Sequence, residues 1–311
     1  MAVYDCFPFF DENDLLELRL NQHWDYFDKF IIVEASETHT GLAKPFNFDH
    51  ERFKKYESKI IYKRIESFDK EIKQFGPELL DQYSMHDRSH SGQYNDDWIR
   101  DHFQGNYPIK ILKDMGAKDD DVIYLSALDE ILRGDAIKKG LEVFSNSSGP
   151  LPYYQLLMGP ATPVEVTQQS GEPIFCRPSF GFNLDMYVYK FNLFCKNISS
   201  GPMTQFSLLK KILPATIRSL GIHTHPNIED AGWHFTFFDD TEGEKVLQKQ
   251  KSWAHSRDMI PGQKVKFEHT SVPEAIERMY LDYETKKVEI SEDTHPKYLI
   301  ENLDKYRNYI A

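Results

Sequence analysis

Two adjacent acids, Asp129 and Glu130, follow the strand-like run Asp121–Leu125 and are well placed to do chemistry. Ligands of open α/β sheets bind beyond the carboxyl ends of the strands, so carboxylates at this point can reach a ligand and a metal ion. A divalent cation held by carboxylates would neutralise the charge that develops on a leaving phosphate. The structural alternative is an acidic helix start that suits the helix dipole, with Asp129 as an ordinary cap.

Histidines provide a second group of candidates. In the segment GWHF, the imidazole of His234 could contact a metal ion or a diphosphate, and the indole of Trp233 could stack on a sugar. A core aromatic segment with a hydrogen-bonded histidine is the alternative. His223 and His225 share one face if their segment is a strand, and with His234 or Asp129 they could bind zinc. That arrangement favours a rival hypothesis, a zinc-dependent hydrolase, whereas histidines in an exposed loop need no metal.

A third candidate is Arg100, which lies in the helical stretch Trp98–Gln104 before the acidic strand. Its guanidinium could pair with phosphate oxygens, which it suits by charge and by its forked geometry. A surface salt bridge to a neighbouring carboxylate is the alternative.

These residues need a framework, and apolar runs that alternate with helical stretches predict one. Strands are expected at Val3–Phe9, Phe30–Val33, Lys59–Tyr62 and Asp121–Leu125. Helical spacing covers Ile99–Met115, and Pro296 is expected to open a last helix, Lys297–Tyr309. Strands separated by helices over this length predict an α/β fold with a mostly parallel sheet and crossover helices.

The composition narrows the function classes. The chain has 311 residues and a formal net charge of −12. This charge argues against nucleic acid as the main partner, because phosphate backbones need faces rich in Lys and Arg. An acidic protein can still bind a phosphorylated ligand through a divalent cation. The three cysteines lack metal-ligand spacing, and neither a signal peptide nor a membrane span is recognisable, so we expect a cytoplasmic protein.

Five segments, taken in order, resemble glycosyltransferase family 17, which contains the β-1,4-mannosyl-glycoprotein β-1,4-N-acetylglucosaminyltransferase. The segments are YDCFPFFDENDLLELRL, FDKFIIVEASETHTGLAKPFNF, DDDVIYLSALDEI, DAGWHFTFF and HPKYLIENLDKYRNYI. The resemblance runs from about Val3 to Ile310 and is weakest across Glu66–Tyr94 and Pro150–Arg177.

The resemblance implies a GT-A type fold, with a single Rossmann-like sheet flanked by helices and a helical C-terminal part. One domain would then cover 1–311, with a nucleotide-sugar-binding half (1–135) and an acceptor-binding half with the C-terminal helices (136–311). The implied activity is inverting transfer of a sugar, GlcNAc in the known case, from a UDP-sugar to a glycan hydroxyl. The implied cofactor is Mn²⁺ or Mg²⁺, which oxygen ligands with one imidazole suit.

Carried over residue by residue, the resemblance places the site at the strand ends. Asp129 matches the second aspartate of the family's D-x-D motif and is expected to hold the metal or the diphosphate together with His234. Glu130 is expected to orient a helix start or the sugar hydroxyls, and Trp233 to contact the acceptor sugar. Seven positions are expected to contact the donor: Phe7, Pro8, Phe9, Glu34, Arg100, Gln104 and Ala127.

Two positions depart from the family pattern. Ala127 stands where the family has the first aspartate of D-x-D, so one metal ligand is missing, and Gly105 stands where it has arginine. Natural divergence, a metal-independent variant, a degenerate transferase and a deliberate substitution are all consistent with Ala127. Two hypotheses are therefore kept: a transferase impaired at this position, and a catalytically degenerate nucleotide-sugar or glycan binding protein of the same fold.

Inversion needs a side chain that takes the proton of the acceptor hydroxyl as it attacks. The resemblance marks no residue for this role, so acids close to GWHF are the candidates. Asp230 or Glu229 is predicted first and Asp185 next. The alternative for each is an acid in a solvated loop.

Overall fold

A nine-stranded sheet forms the centre of the molecule in the computed structural model. The structure describes residues 1–81, 96–146, 151–152, 175–176, 179–218, 227–238, 243–254 and 284–311. The strands are β1 (Val3–Phe9), β2 (Lys29–Ala35), β3 (Ile60–Ile65), β4 (Val122–Leu125), β5 (Glu130–Leu132), β6 (Leu151–Pro152), β7 (Phe175–Cys176), β8 (Phe180–Val188), β9 (Leu193–Gln205), β10 (Asn227–Thr236) and β11 (Lys286–Lys287). The order in the sheet is β3-β2-β1-β4-β9-β8-β10-β5, and β11 pairs with β9; β6 and β7 pair separately.

Most strands of this sheet run in one direction. β1 is parallel to both β2 and β4, β2 is parallel to β3, and β8 is parallel to β10. The antiparallel β9 separates these two groups, and β5 runs antiparallel to β10 at the sheet edge. The predicted α/β fold with a mostly parallel sheet is confirmed. As a result, the carboxyl ends of β1, β2, β4 and β10 lie at the same edge of the sheet.

Helices connect and cover these strands. They are α1 (Asn13–His23), α2 (His50–Phe53), α3 (Phe68–Leu79), α4 (Asp96–Asn106), α5 (Pro108–Asp114), α6 (Gly134–Asn146), α7 (Phe206–Leu209), α8 (Glu244–Ser252) and α9 (Lys297–Glu301). The helix predicted over Ile99–Met115 is two helices, because Pro108 lacks the N–H needed to continue the first and instead opens the second. The predicted last helix is too long: α9 ends at Glu301, and a 3₁₀ turn covers Arg307–Tyr309. Within the described ranges, no helix has the length and apolar character needed to span a membrane.

The continuous apolar runs of the parallel strands are explained by burial on both faces of the sheet. In β2, Phe30 and Ile32 belong to one hydrophobic core, and Ile31 and Val33 belong to another on the opposite face. All four side chains are fully buried. Successive side chains of a strand point to opposite faces, so two-sided burial requires apolar residues at every position.

The glycine of GWHF permits the pairing that brings β10 to the acidic loop. Gly232 has a φ of 152°, and a Cβ at this position would lie 2.1 Å from the carbonyl oxygen of Ile131 in β5. Any side chain would therefore separate the two strands. Across this contact His234 pairs with Glu130, so Gly232 fixes the register that places His234 beside the loop containing Asp129.

A fully buried ion pair fixes that loop from the other side. Arg19 of α1 donates two hydrogen bonds to Asp5 of β1, at 3.0 and 2.5 Å. The same guanidinium donates to the carbonyl oxygens of Ala127, Leu128 and Glu130, at 2.7, 3.0 and 2.9 Å. Both charged side chains are fully buried. Arg19 thus joins α1 and β1 to the loop that carries Asp129.

Replacing Arg19 by Met should lower the free energy of unfolding by about 3 to 5 kcal/mol, because Asp5 would remain buried without its cation. Chemical denaturation monitored by circular dichroism measures this change. The control is Arg307→Met, which removes a largely exposed arginine and should change the stability by less than about 0.5 kcal/mol. Equal stability of the two variants would show that the buried pair does not stabilise the fold.

Candidate functional site

A polar cavity of about 240 Å³ lies at the carboxyl edge of the sheet. Its wall includes four acids and three basic residues, namely Asp11, Glu12, Asp14, Asp129, Arg52, Lys245 and Lys249. The chain enters α1 directly after β1 on one side, and the loop between β4 and β5 lies on the other. The cavity therefore occupies the position where ligands bind in open α/β sheets, outside the carboxyl ends of the strands.

Asp129 is buried and is held between two basic side chains. Its carboxylate lies 3.4 Å from Nε2 of His234 and 3.2 Å from Nζ of Lys249. Burial by itself would raise the pKa of Asp129, but the charges of Lys249 and His234 outweigh it and hold that pKa well below its usual range. The backbone carbonyl of Asp129 also accepts a hydrogen bond from Phe235, at 2.9 Å. The prediction that Asp129 and His234 lie together, although 105 positions apart, is confirmed by this 3.4 Å separation.

Glu130 has a different environment from its neighbour. Its side chain accepts a hydrogen bond from the backbone N–H of Ala127 at 2.8 Å and another from Arg218 at 3.1 Å. It therefore closes the turn that precedes β5. The expectation that Glu130 orients a helix start is wrong, because Glu130 begins a strand and the next helix starts at Gly134.

The predicted divalent cation finds few ligands here. Asp129 and His234 offer one carboxylate and one imidazole, and Ala127 offers no side-chain ligand. Over the described residues, no group of three or more His, Cys, Asp or Glu side chains could hold a metal ion. An ammonium group, that of Lys249, already lies against the Asp129 carboxylate. The bound Mn²⁺ or Mg²⁺ stays a prediction, and His223 and His225 of the zinc hypothesis lie outside the described residues.

The predicted donor-binding residues of β1 lie inside the core. Phe7 and Phe9 are 1% and 2% exposed. The guanidinium carbon of Arg19 lies 4.2 Å from the ring centroid of Phe7. Pro8 is the partly exposed residue between them. The prediction for Phe7, Pro8 and Phe9 is therefore wrong by a few positions, because the residues that line the cavity begin at Phe10. The reason is that β1 is covered on both faces and becomes accessible only where it ends.

Glu34 ties the loop after β2 to the sheet. Its buried carboxylate accepts hydrogen bonds from Lys44 at 2.7 Å, from the backbone N–H of Asn47 at 2.6 Å and from the Tyr62 hydroxyl at 2.6 Å. These partners neutralise and position a carboxylate that would otherwise be costly to bury. The predicted contact of Glu34 with the donor stays a prediction, and its observed contacts are internal to the protein.

Arg100 and Gln104 of α4 hold the same loop at His39. Arg100 donates to the His39 carbonyl at 3.0 Å, and Gln104 lies 2.9 Å from the His39 imidazole while donating to the Val33 carbonyl at 2.8 Å. Both side chains thus position backbone next to β2. A Cβ at Gly105 would meet no atom within 4 Å, so the arginine of the family pattern would have room there.

The remaining predicted residues lie away from the cavity. Trp233 is 2% exposed, with its indole N–H bound to the Thr294 carbonyl at 2.7 Å and Arg133 over its ring at 4.3 Å. This burial leaves the indole closed to a sugar. Asp230 is exposed and pairs with Arg133 at 3.3 Å. Asp230 is not among the residues that line the cavity, so the structure does not bring this predicted base there.

The other two candidate bases, Asp185 of β8 and Glu229 of β10, have partners of their own. Asp185 lies 3.9 Å from Arg133 and accepts a hydrogen bond from Asn197 at 2.6 Å. Burial, offset in part by Arg133, raises the pKa of Asp185. Glu229 accepts hydrogen bonds from Asn183, both at 2.7 Å. These acids form a second polar group, distinct from the one around Asp129.

The charged cavity residues missed in the sequence are Asp11, Glu12, Asp14, Arg52, Lys245 and Lys249. Asp11 and Glu12 lie at the start of α1, where Glu12 is the N-terminal cap and makes no side-chain capping bond. Lys245 and Lys249 are four residues apart and therefore share one face of α8. This spacing is the one signal that the sequence offered, and exposed helices often show it as well.

A comparison of the sequence with models of protein families found a match over the N-terminal part of the chain. The model described as Glycosyltransferase family 17 matches residues 1–143. The matched region contains β1 to β5 and Asp129, whereas β10 with His234 and α8 with the two lysines lie beyond it. A search of curated proteins found no match.

Replacing Asp11 by Asn should stabilise the protein at high pH and have little effect at low pH. Burial, followed by repulsion from Glu12, raises the pKa of Asp11 to about 7 from an ordinary value of 3.8. The contribution of Asp11 to stability is therefore fully present when the pH is below 3.8, the ordinary pKa of the group. It is lost as the pH rises through about 7, the pKa of Asp11 in the folded protein. Relative to the unchanged protein, Asp11→Asn should gain roughly 2 kcal/mol between about pH 4 and pH 8.

Urea unfolding of both proteins across this pH range measures the gain. Asp135→Asn, which changes an exposed acid on α6, is the matched control and should show no such trend. A difference between Asp11→Asn and the unchanged protein that stays constant with pH would mean that Asp11 titrates as an ordinary surface acid.

Proposed function

We propose, on the premise that residues 1–143 belong to glycosyltransferase family 17, that the cavity at the carboxyl edge of the sheet binds a nucleotide-sugar donor. The protein transfers the sugar to a glycan hydroxyl with inversion at the anomeric carbon. Following the resemblance, the donor is a UDP-sugar, and UDP-GlcNAc is the first one to test.

The observation that carries this proposal is the ionised Asp129 at the cavity wall, paired with Lys249 in a cavity that Lys245 also lines. The diphosphate of a nucleotide-sugar is negatively charged, and Lys245 and Lys249 can neutralise this charge. The hydroxyl groups of its sugar can donate hydrogen bonds to the carboxylates of the cavity wall. The end of β1 supplies an aromatic ring at Phe10 beside these groups. Charge and hydrogen-bonding capacity are thus both suited to a nucleotide-sugar.

In the proposed reaction, the oxygen of the acceptor hydroxyl forms a bond to the anomeric carbon while the bond from that carbon to the phosphate oxygen breaks. The electron pair of the broken bond stays on the diphosphate, and the hydroxyl proton passes to a base. Because negative charge grows on the leaving diphosphate, fixed positive charge at the cavity lowers the barrier. Asp11 lines the same cavity and replaces Asp230 as the first candidate for the base.

A second candidate function is binding of a nucleotide-sugar or glycan without transfer. Ala127 favours it, because this position offers no carboxylate where the family pattern has one. The same cavity would then retain affinity for the nucleotide but would not catalyse release of the sugar.

Release of UDP from UDP-GlcNAc, with water or added glycans as acceptors, tests the first function against the second. We expect release by the unchanged protein, and Asp129→Asn should reduce the rate at least tenfold, because it removes the carboxylate that holds Lys249 and His234 in place. Asp135→Asn is the control and should retain full activity. Binding of UDP-GlcNAc without any release would favour the second function, and equal rates for Asp129→Asn would exclude the cavity as the reaction site.

Introducing the missing acid, Ala127→Asp, should create binding of UDP that depends on Mn²⁺. The new carboxylate would stand two residues before Asp129 and add a charged oxygen ligand to Asp129 and His234. Ala127→Asn, which has the same shape without the charge, is the control. Titration of Mn²⁺ against UDP binding checks this, and equal affinity of the two variants would show that position 127 is not a vacated ligand position. Crowding of the new acid against Glu130 would explain such a result.

A further inference from the structure

We infer that Lys249, assisted by Lys245, binds the diphosphate of the donor directly and takes the electrostatic role that the family resemblance assigns to a divalent cation. This inference rests on the proposed function and names the residues that stabilise its leaving group. It also predicts that nucleotide binding by this chain does not require a metal.

The first support is the position of the two ammonium groups. Lys245 and Lys249 are one turn apart on α8, and both line the cavity with Asp129. Nζ of Lys249 lies 3.2 Å from the Asp129 carboxylate and 5.1 Å from the ring centroid of Phe237. Nζ of Lys245 lies 5.6 Å from the ring centroid of Tyr309. Aromatic faces attract cations, so both rings help to keep the lysines at the cavity wall.

The second support is the number of donors on an ammonium group. Lys249 has three N–H donors and directs one side of its ammonium to Asp129. The others can be shared with phosphate oxygens, so one cation can bridge the protein carboxylate and the ligand phosphate. A divalent cation held by a D-x-D motif makes the same bridge with oxygen ligands.

The third support is that a metal and Lys249 compete for one carboxylate. A divalent cation on Asp129 and His234 would lie a few ångströms from an ammonium group that is already present, and like charges at such distances repel. With Ala127 in place, the gain from metal ligation is small, since only two described side chains are available. Lys249 by itself already neutralises the charge of Asp129.

The fourth support is that α8 is fixed to the framework of the sheet. The carbonyl of Ser252 accepts a hydrogen bond from the backbone N–H of His39 at 3.0 Å, and the carbonyl of Lys251 accepts one from Thr40 at 2.8 Å. His39 is in turn held by Arg100 and Gln104 of α4. The lysines are thus positioned in advance, which limits the entropy lost when a diphosphate binds.

Calorimetric titration of UDP into the protein, in excess EDTA and in excess Mn²⁺, tests the inference. The unchanged protein should bind UDP with the same affinity, within about threefold, under both conditions. Lys249→Gln should weaken binding in EDTA by about tenfold or more, as expected for loss of a charge-assisted hydrogen bond. Lys245→Gln should weaken it less, and Lys249→Arg should retain most of the affinity. Lys251→Gln, an exposed lysine on the same helix, is the matched control and should bind normally.

The outcomes separate the inference from the proposed function. Binding that requires Mn²⁺ in the unchanged protein would overturn the inference and leave the proposed function intact. Unchanged affinity in a folded Lys249→Gln variant would do the same. If neither UDP nor UDP-GlcNAc binds under either condition, the proposed function is wrong, and the inference fails with it. The comparison of EDTA with Mn²⁺ needs no variant, so it remains decisive if Lys249→Gln does not fold.

Discussion

The ion pair between Arg19 and Asp5 is the interaction on which the geometry of the cavity depends. A guanidinium without solvent contact must find partners for its N–H groups inside the protein. Here they are the Asp5 carboxylate, the Ser126 hydroxyl and the carbonyl groups of the loop between β4 and β5. This loop therefore has one well-defined course, in which Asp129 faces the cavity and Glu130 faces back to the turn. The first helix, the first strand and the acidic loop are thus joined through one side chain, and the position of Asp129 depends on that connection.

Much of the fold could be predicted from the sequence because two-sided burial leaves a strong signal. Runs such as Phe30–Val33 are apolar at every position, which is required of a central parallel strand. The neighbourhood of Asp129 and His234 was also predictable, because both stand near strand ends and such ends share one edge of the sheet. Element bounds were less accurate, as the short α9 shows, because a helix end depends on the tertiary contacts that follow it.

The composition of the cavity could not be predicted, because its residues come from elements whose relative position only the fold determines. Lys249 pairs with Asp129 although the two residues are 120 positions apart. The sequence of its helix does not indicate which face of the helix packs against the rest of the protein. Trp233 and Phe7 have the residue types that bind sugars and bases, but the same types fill cores, and here they are buried. Asp230 was placed near the reaction centre by sequence distance, whereas in the structure it pairs with Arg133 and does not line the cavity.

Nucleotide-sugar binding at the Asp129 cavity, with lysine as the cation, is tested most directly by a crystal structure of the chain with UDP-GlcNAc and Mn²⁺. We predict a diphosphate at the cavity wall, with its oxygens within hydrogen-bonding distance of Nζ of Lys249 and the uridine close to Phe10. Asp129 and His234 should carry no manganese. A manganese ion bound to both side chains, with Lys249 displaced from Asp129, would contradict the role of the lysine. A nucleotide bound elsewhere on the protein would contradict the assignment of the site.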